Sequence, residues 1–167
     1  SYKEVYSKIS TKKDSTRSWI LIRRNLSPGQ VDQVQNLQKA GLVFEDDMAR
    51  VYPQKSNLSH IVGFVDLDRK GLSGIERQRN KSLKNGEDIN LTIDVRIQDI
   101  LRNELSKGID EFGAKAASGV IMNVRNGEVL ALTSLPDFDP NQQSSASATQ
   151  RFNRVTNGVY EMGSVFK

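Results

Sequence analysis

The chain has 167 residues, enough for one domain or two small ones, with 37% hydrophobic and 26% charged side chains, as in ordinary globular proteins. Its 24 basic and 20 acidic side chains leave a net charge of +4, too mild by itself to imply nucleic acid, and few aromatics sit among the basic residues. The absence of cysteine excludes disulfides and Cys-ligated metal, a single histidine cannot build a metal site, and no apolar run approaches the ~20 residues that cross a bilayer.

No signal-peptide pattern is present, so the chain as given is expected to be soluble. It starts without an initiator Met, which implies removal of an upstream segment. Lys3, Lys8, Lys12, Lys13, Arg17, Arg23 and Arg24 crowd the N-terminal quarter. They make a solvated face or, on a sharper reading, meet an anionic surface such as lipid headgroups or wall polymer. Residues 1–16 are polar and expected to be mobile.

Ser18 to Arg24 is a short apolar run around Trp19 and reads as a strand. Ser27-Pro28-Gly29-Gln30 is a helix start, with Ser as N-cap, Pro at the first position and Gln completing a capping box. Val31, Val34 and Leu37 follow at helical spacing, with Gly41 to close the helix, and Leu42 to Val51 reads as a strand ending at Pro53. His60 has no acidic residue within four positions and reads first as a structural histidine bonded to backbone. Ser73 and Glu76 form a second capping-box pattern, and Asn85-Gly86 a turn.

Asp88 to Asp94 alternates polar and apolar residues, the mark of a half-buried strand. Asp94 then caps a helix whose Ile97, Leu101, Leu105, Ile109 and Phe112 share one face. Residues 117–124 and 128–134 are apolar runs around Arg125-Asn126-Gly127, a strong hairpin signal. Residues 142–150 are polar and of low complexity, which predicts a mobile loop. There are no internal repeats.

The chemistry sits at Ser164-Val165-Phe166-Lys167, an S-x-x-K. Residues three apart share a helix face, so a neutral Lys167 amine can take the Ser164 proton while free helix N–H groups steady charge on the oxygen. The motif alone is weak. Average Ser and Lys usage gives about one S-x-x-K in every two chains of this length by chance. A second copy, Ser10-Thr11-Lys12-Lys13, lies in a polar segment that suggests no chemistry.

Context sharpens it. Tyr160-Glu161-Met162-Gly163-Ser164-Val165-Phe166-Lys167 resembles the Y-E-P-G-S-T-F-K nucleophile segment of class B penicillin-binding proteins, with Met162 and Val165 departing from the usual Pro and Thr. Arg50-Val51-Tyr52-Pro53, His60-Ile61-Val62-Gly63 and Gly71-Leu72-Ser73-Gly74-Ile75-Glu76 resemble the R-x-Y-P, H-x-x-G and G-x-x-G-x-E series of that family's non-catalytic pedestal, in order. Arg50 and Glu76 are expected to pair and lock it. Leu91-Thr92-Ile93-Asp94 with Gln98, Pro136 to Asn141, and Phe152-Asn153-Arg154 resemble the L-T-I-D-x-x-x-Q, P-x-F-D-P-N and F-N-R segments of the transpeptidase domain.

The resemblance spans roughly residues 17–167 and leans, through the Arg24 to Pro28 segment and Gly63 to Asp66, to the septal, cell-division type. It implies an α+β fold, with a pedestal over 1–84 and the first part of a transpeptidase domain over 85–167. It also implies a peptidoglycan D,D-transpeptidase with Ser164 as nucleophile and Lys167 as general base, needing no cofactor or metal. Stem peptides and β-lactams are the implied ligands, and membrane proteins of the division complex the implied partners, with no nucleic acid. The implied location is the bacterial inner membrane, through an upstream anchor, with the domain in the periplasm. The family's S-x-N and K-T-G motifs do not occur in this sequence. The chain alone is therefore expected to be inactive, and to self-associate or be disordered over 113–167. The alternatives are a pedestal module that binds division partners, and a β-lactam sensor or β-lactamase; the pedestal series argues against a free β-lactamase.

Overall fold

A computed structural model describes Lys3, Tyr6, Ser7, residues 19–161 and Gly163. Most of the stretch expected to be mobile, and both S-x-x-K motifs, therefore lie outside the described residues. The chain divides into two compact units, Ser1–Ala49 and Arg50–Lys167.

In the first unit, helix α1 spans Pro28–Gln35. Its capping box forms as the sequence predicts, with the Ser27 N–H donating to Gln30 Oε1 at 3.1 Å. The helix stops earlier than expected. Asn36 is the C-cap and Gln38 takes a positive φ, so Gly41 closes nothing. Neither Trp19 to Arg24 nor Leu42 to Ala49 is a strand. Apolar runs become strands only when a neighbouring chain completes the ladder, and none does so among the described residues.

The second unit opens with a 3₁₀ turn at Lys55–Leu58 and helix α2, Ser59–Val62. A bridge joins Val65 to Gly71, and α3 (Gly74–Gln78) and α4 (Asn80–Lys84) follow. Helix α5, Val95–Phe112, lies on an antiparallel hairpin of β1 (Ala117–Met122) and β2 (Val129–Leu135). A 3₁₀ segment at Pro140–Ser145 and two single turns, α6 (Ala148–Arg151) and α7 (Arg154–Asn157), complete the unit. The architecture is α+β, as expected.

The hairpin register pairs Ala117 with Leu135 and Met122 with Val129, with an irregularity at Ile121/Met122. The turn closes through Gly127 N–H to Asn123 O at 2.8 Å, and Gly127 has φ +76. Asp94 caps α5 by accepting from Arg96 N–H, and hydrogen bonds from Arg96 hold its carboxyl down at about 2. Gly119 lets the helix approach: a Cβ there would lie 3.1 Å from Leu101 Cδ1. Ile97, Leu101, Leu105 and Ile109 are half-buried, but Phe112 is exposed because the last turn of α5 runs past the packed face.

Two further expectations are corrected. Residues 88–94 do not form a strand: only the Thr92 hydroxyl, at 2.6 Å from Val129 O, and Asp94 N–H, at 2.9 Å from Leu130 O, bond to β2. Residues 142–150 form short helical turns and not an unstructured loop. Ser147 and Gln150 make a capping box, and Gln143 Nε2 donates to Val65 O at 2.9 Å. Polar composition signalled mobility there, yet each of these amides has a fixed partner.

Candidate functional site

The expected nucleophile and base, Ser164 and Lys167, lie outside the described residues. The structure defines the stretch that precedes them in the chain, and residues 50–84 that meet this stretch.

Arg50 and Glu76 lie where the sequence pairs them. Arg50 Nε is 2.8 Å from Glu76 Oε1 and Nη2 is 3.3 Å from Oε2, a two-pronged contact with the carboxylate nearly buried. Glu76 does not complete a capping box with Ser73, because Arg50 takes the carboxylate. The Tyr52 hydroxyl accepts from Val65 N–H at 3.1 Å. Burial, with the Glu76 charge nearby, pushes its phenol well above its usual range. Pro53 is exposed, in the turn leading to Lys55.

The glycines of the same motifs have steric causes. Gly63 has φ +79, and a Cβ on it would run into the Ser73 carbonyl. Gly74 has φ +55 and faces the Ile61 and Val62 backbone. The two loops thus touch backbone to backbone. At Gly71 a Cβ would collide with the Glu76 carbonyl, and its N–H donates to Asn80 Oδ1 at 2.8 Å.

Residues 50–65 are bonded to the 137–151 segment. Asn141 clasps the Tyr52 backbone from both sides: its Oδ1 accepts Tyr52 N–H at 3.0 Å and its Nδ2 donates to Tyr52 O at 2.9 Å. Phe138 is buried with Tyr52 and Phe64, edge-on to the Phe64 ring. Asp137 pairs with Arg102 of α5 at 2.7 Å. His60 Nε2 lies 2.8 Å from Gln150 O and its ring is edge-on to Phe138. A carbonyl only accepts, so Nε2 carries the proton of the neutral ring.

Burial lowers the His60 pKa below its ordinary 6.5, against the opposing Gln150 carbonyl and Asp137 charge. The unfolded chain then takes up the proton first as pH falls below 6.5. Stability is expected to decline from there down to the folded pKa and to level off below it. Thermal melts from pH 7.5 to 5 check this; a His60→Gln slope as steep as wild type over that window would count against it.

Gln98, Asn141, Gln143, Gln150 and Ser134 are connecting residues the sequence did not mark as such. Gln98 and Ser134 carried a signal, an uncharged amide or hydroxyl among apolar neighbours, whereas Asn141, Gln143 and Gln150 stand in a polar stretch that offered none. Among the described residues, no cluster of three or more His, Cys, Asp or Glu could hold a metal ion.

Residues 117–167 match the penicillin binding protein transpeptidase domain. A protein of Caulobacter vibrioides named probable peptidoglycan D,D-transpeptidase FtsI is 42% identical over 147 residues, covering 85% of this chain and 25% of that protein. The peptidoglycan D,D-transpeptidase FtsI of Escherichia coli K12 is 27% identical, covering 89% of this chain and 30% of that protein. Among solved structures, penicillin-binding protein 3 of Mycobacterium tuberculosis is 29% identical, with a TM-score of 0.48 over 56% of this chain and 24% of the other. The chain thus spans about a quarter to a third of the length of the curated relatives it matches. It belongs to the penicillin-binding proteins, with a transpeptidase-domain segment at residues 117–167. Within them it falls with class B, the branch of the relatives named peptidoglycan D,D-transpeptidases.

Proposed function

We propose that the chain is part of a bacterial peptidoglycan D,D-transpeptidase that works in septum synthesis. The observation that carries this is that the S-x-x-K falls inside the matched transpeptidase segment and follows the pedestal series in order. Ser164 Oγ attacks the carbonyl of a D-Ala-D-Ala stem peptide as Lys167 Nζ accepts its proton. The peptide C–N bond breaks, and the departing D-Ala amine takes the proton. The amine of a neighbouring stem then receives the acyl group and frees Ser164. The Ser164 N–H supplies half of an oxyanion hole. A β-lactam acylates the same oxygen.

Residues 1–84 serve as the pedestal, and the enzyme sits on the outer side of the inner membrane beside division-complex proteins. No described helix is long and apolar enough to cross a membrane. The outer edge of β1 has no partner among the described residues, which favours association of the chain with itself when alone.

The test is to treat the full-length protein with a labelled penicillin and map the adduct by peptide mass spectrometry. Label on Ser164, absent in Ser164→Ala, is the expected result. A folded full-length protein that takes no label would overturn the catalytic reading and leave the pedestal as a module for partner binding.

A further inference from the structure

We propose that Ser134 is a positioning residue for the nucleophile segment: its buried hydroxyl fixes the backbone of Phe152–Arg154, from which the chain runs into Ser164. The inference rests on the transpeptidase reading above.

Strand alternation gives the first clue. In β2, Thr133 and Leu135 point to one face and Ser134 to the other. A half-exposed hairpin would leave Ser134 wet. Instead Thr133, Ser134 and Leu135 are 4%, 1% and 5% exposed, so both faces of the strand end are covered. Helix α5 covers the first face, with Gln98 bonded to Thr133 Oγ1 at 3.0 Å. The stretch leading through α7 covers the second, where α7 packs on both strands.

The bonding across that second contact is specific. Ser134 Oγ accepts Arg154 N–H at 3.0 Å and donates to Phe152 O at 3.3 Å. Arg154 is the first residue of α7, so its N–H has no partner within the helix. Asn153 accepts the next two, Val155 N–H at 3.0 Å and Thr156 N–H at 3.4 Å. The start of α7 is therefore tied to the sheet by Ser134 and to its own cap by Asn153. A one-turn helix has almost no stability of its own, so these ties set where it begins and where it points. Residues 158–163 then carry the chain on toward Ser164. Misplacing a nucleophile by a fraction of its bond-forming distance costs rate even where nothing touches substrate.

The experiment uses the full-length protein and the rate constant for acylation by a fluorescent penicillin at saturation. That constant describes each competent site and does not change with the fraction folded. Ser134→Val and Ser134→Thr share a shape and differ in the hydroxyl. The valine variant is expected to acylate about tenfold slower or worse, and the threonine variant within about threefold of wild type. Equal rates for the two variants, or a wild-type rate in Ser134→Val, would sink the proposal. Should Ser134→Val show no folding transition, Asn153→Ala loosens the same helix start from a half-buried position. It is expected to slow acylation too, with Asn153→Asp restoring it, and an unchanged rate overturns the idea. Wild-type label on Ser164 with unaffected variants defeats only this inference, whereas wild type without label defeats the transpeptidase reading itself.

Discussion

Gln98→Leu is expected to cost about 4 kcal/mol of unfolding free energy, read as a drop in denaturant midpoint at unchanged slope. Gln98 is fully buried, and its amide is used from both ends. Nε2 donates to Asn57 O at 2.8 Å, Leu132 O at 2.9 Å and Thr133 Oγ1 at 3.0 Å, two hydrogens shared among three acceptors. Oε1 accepts Leu132 N–H at 2.8 Å. One side chain thus joins α5 to β2 and to the 3₁₀ turn of residues 55–58. Leucine fills the volume but leaves Leu132 N–H and the carbonyls unpaired, at about 1–3 kcal/mol each where no water reaches. Gln98→Glu separates bonding from packing. An ionised carboxylate of the same shape donates nothing and faces three acceptors. Its folded pKa lies above the unfolded value, so the penalty is absent below about pH 4.3 and grows as pH rises past it. At pH 7 this variant should be at least as damaged as Gln98→Leu and should recover on acidification. A cost below about 1 kcal/mol for both variants would mean that the amide is a passenger.

The same residue shows how far the sequence could be read. Helix α5, its Asp94 cap, the hairpin and the α1 capping box were legible because each rests on local chemistry: a period, a cap, a turn dipeptide. The role of Gln98 was not, although the residue stood inside a quoted motif. Its partners at Asn57 and Leu132 lie 41 and 34 positions away. Asn141 and Tyr52 are 89 apart, as distant as His60 and Gln150 at 90. No window-based pattern reaches that far. The runs at 18–24, 42–51 and 88–94 failed for a related reason. A strand is a property of two chains, and composition describes one. Residues 142–150 failed in the other direction, since polar side chains mark solvent only when the backbone offers them nothing to bond. As for the candidate site, the motifs named candidate residues, and the geometry of residues 50–76 gives their glycines and the Arg50–Glu76 contact a physical cause.

That contact is expected to break asymmetrically. Arg50→Ala should cost about 3 kcal/mol and Glu76→Gln about 1 kcal/mol. The Glu76 side chain is 6% exposed and the Arg50 side chain 37%. Without Arg50, a nearly buried carboxylate remains in a site lined by Tyr52 and Ile75, with no cation to offset its lost hydration. Without the Glu76 charge, the guanidinium can turn partly to water, which discounts the loss. The pair also costs desolvation to form, so Arg50→Met combined with Glu76→Leu should be less harmful than Arg50→Ala alone. Urea melts of the three variants decide the matter. Equal costs for the two single variants would show the carboxylate to be wetter than its burial implies, and an unchanged melting temperature in Glu76→Gln would show that the pair locks nothing. The consequence reaches beyond this contact, because Tyr52 stands between Glu76 and the 137–151 segment. Its ring is packed with Phe138, its backbone is clasped by Asn141, and its hydroxyl lies within the field of Glu76. Loosening Arg50 should therefore loosen the 137–151 segment as well, and amide exchange at Gln143 and Gln150 should quicken in Arg50→Ala while exchange in the middle of α5 does not.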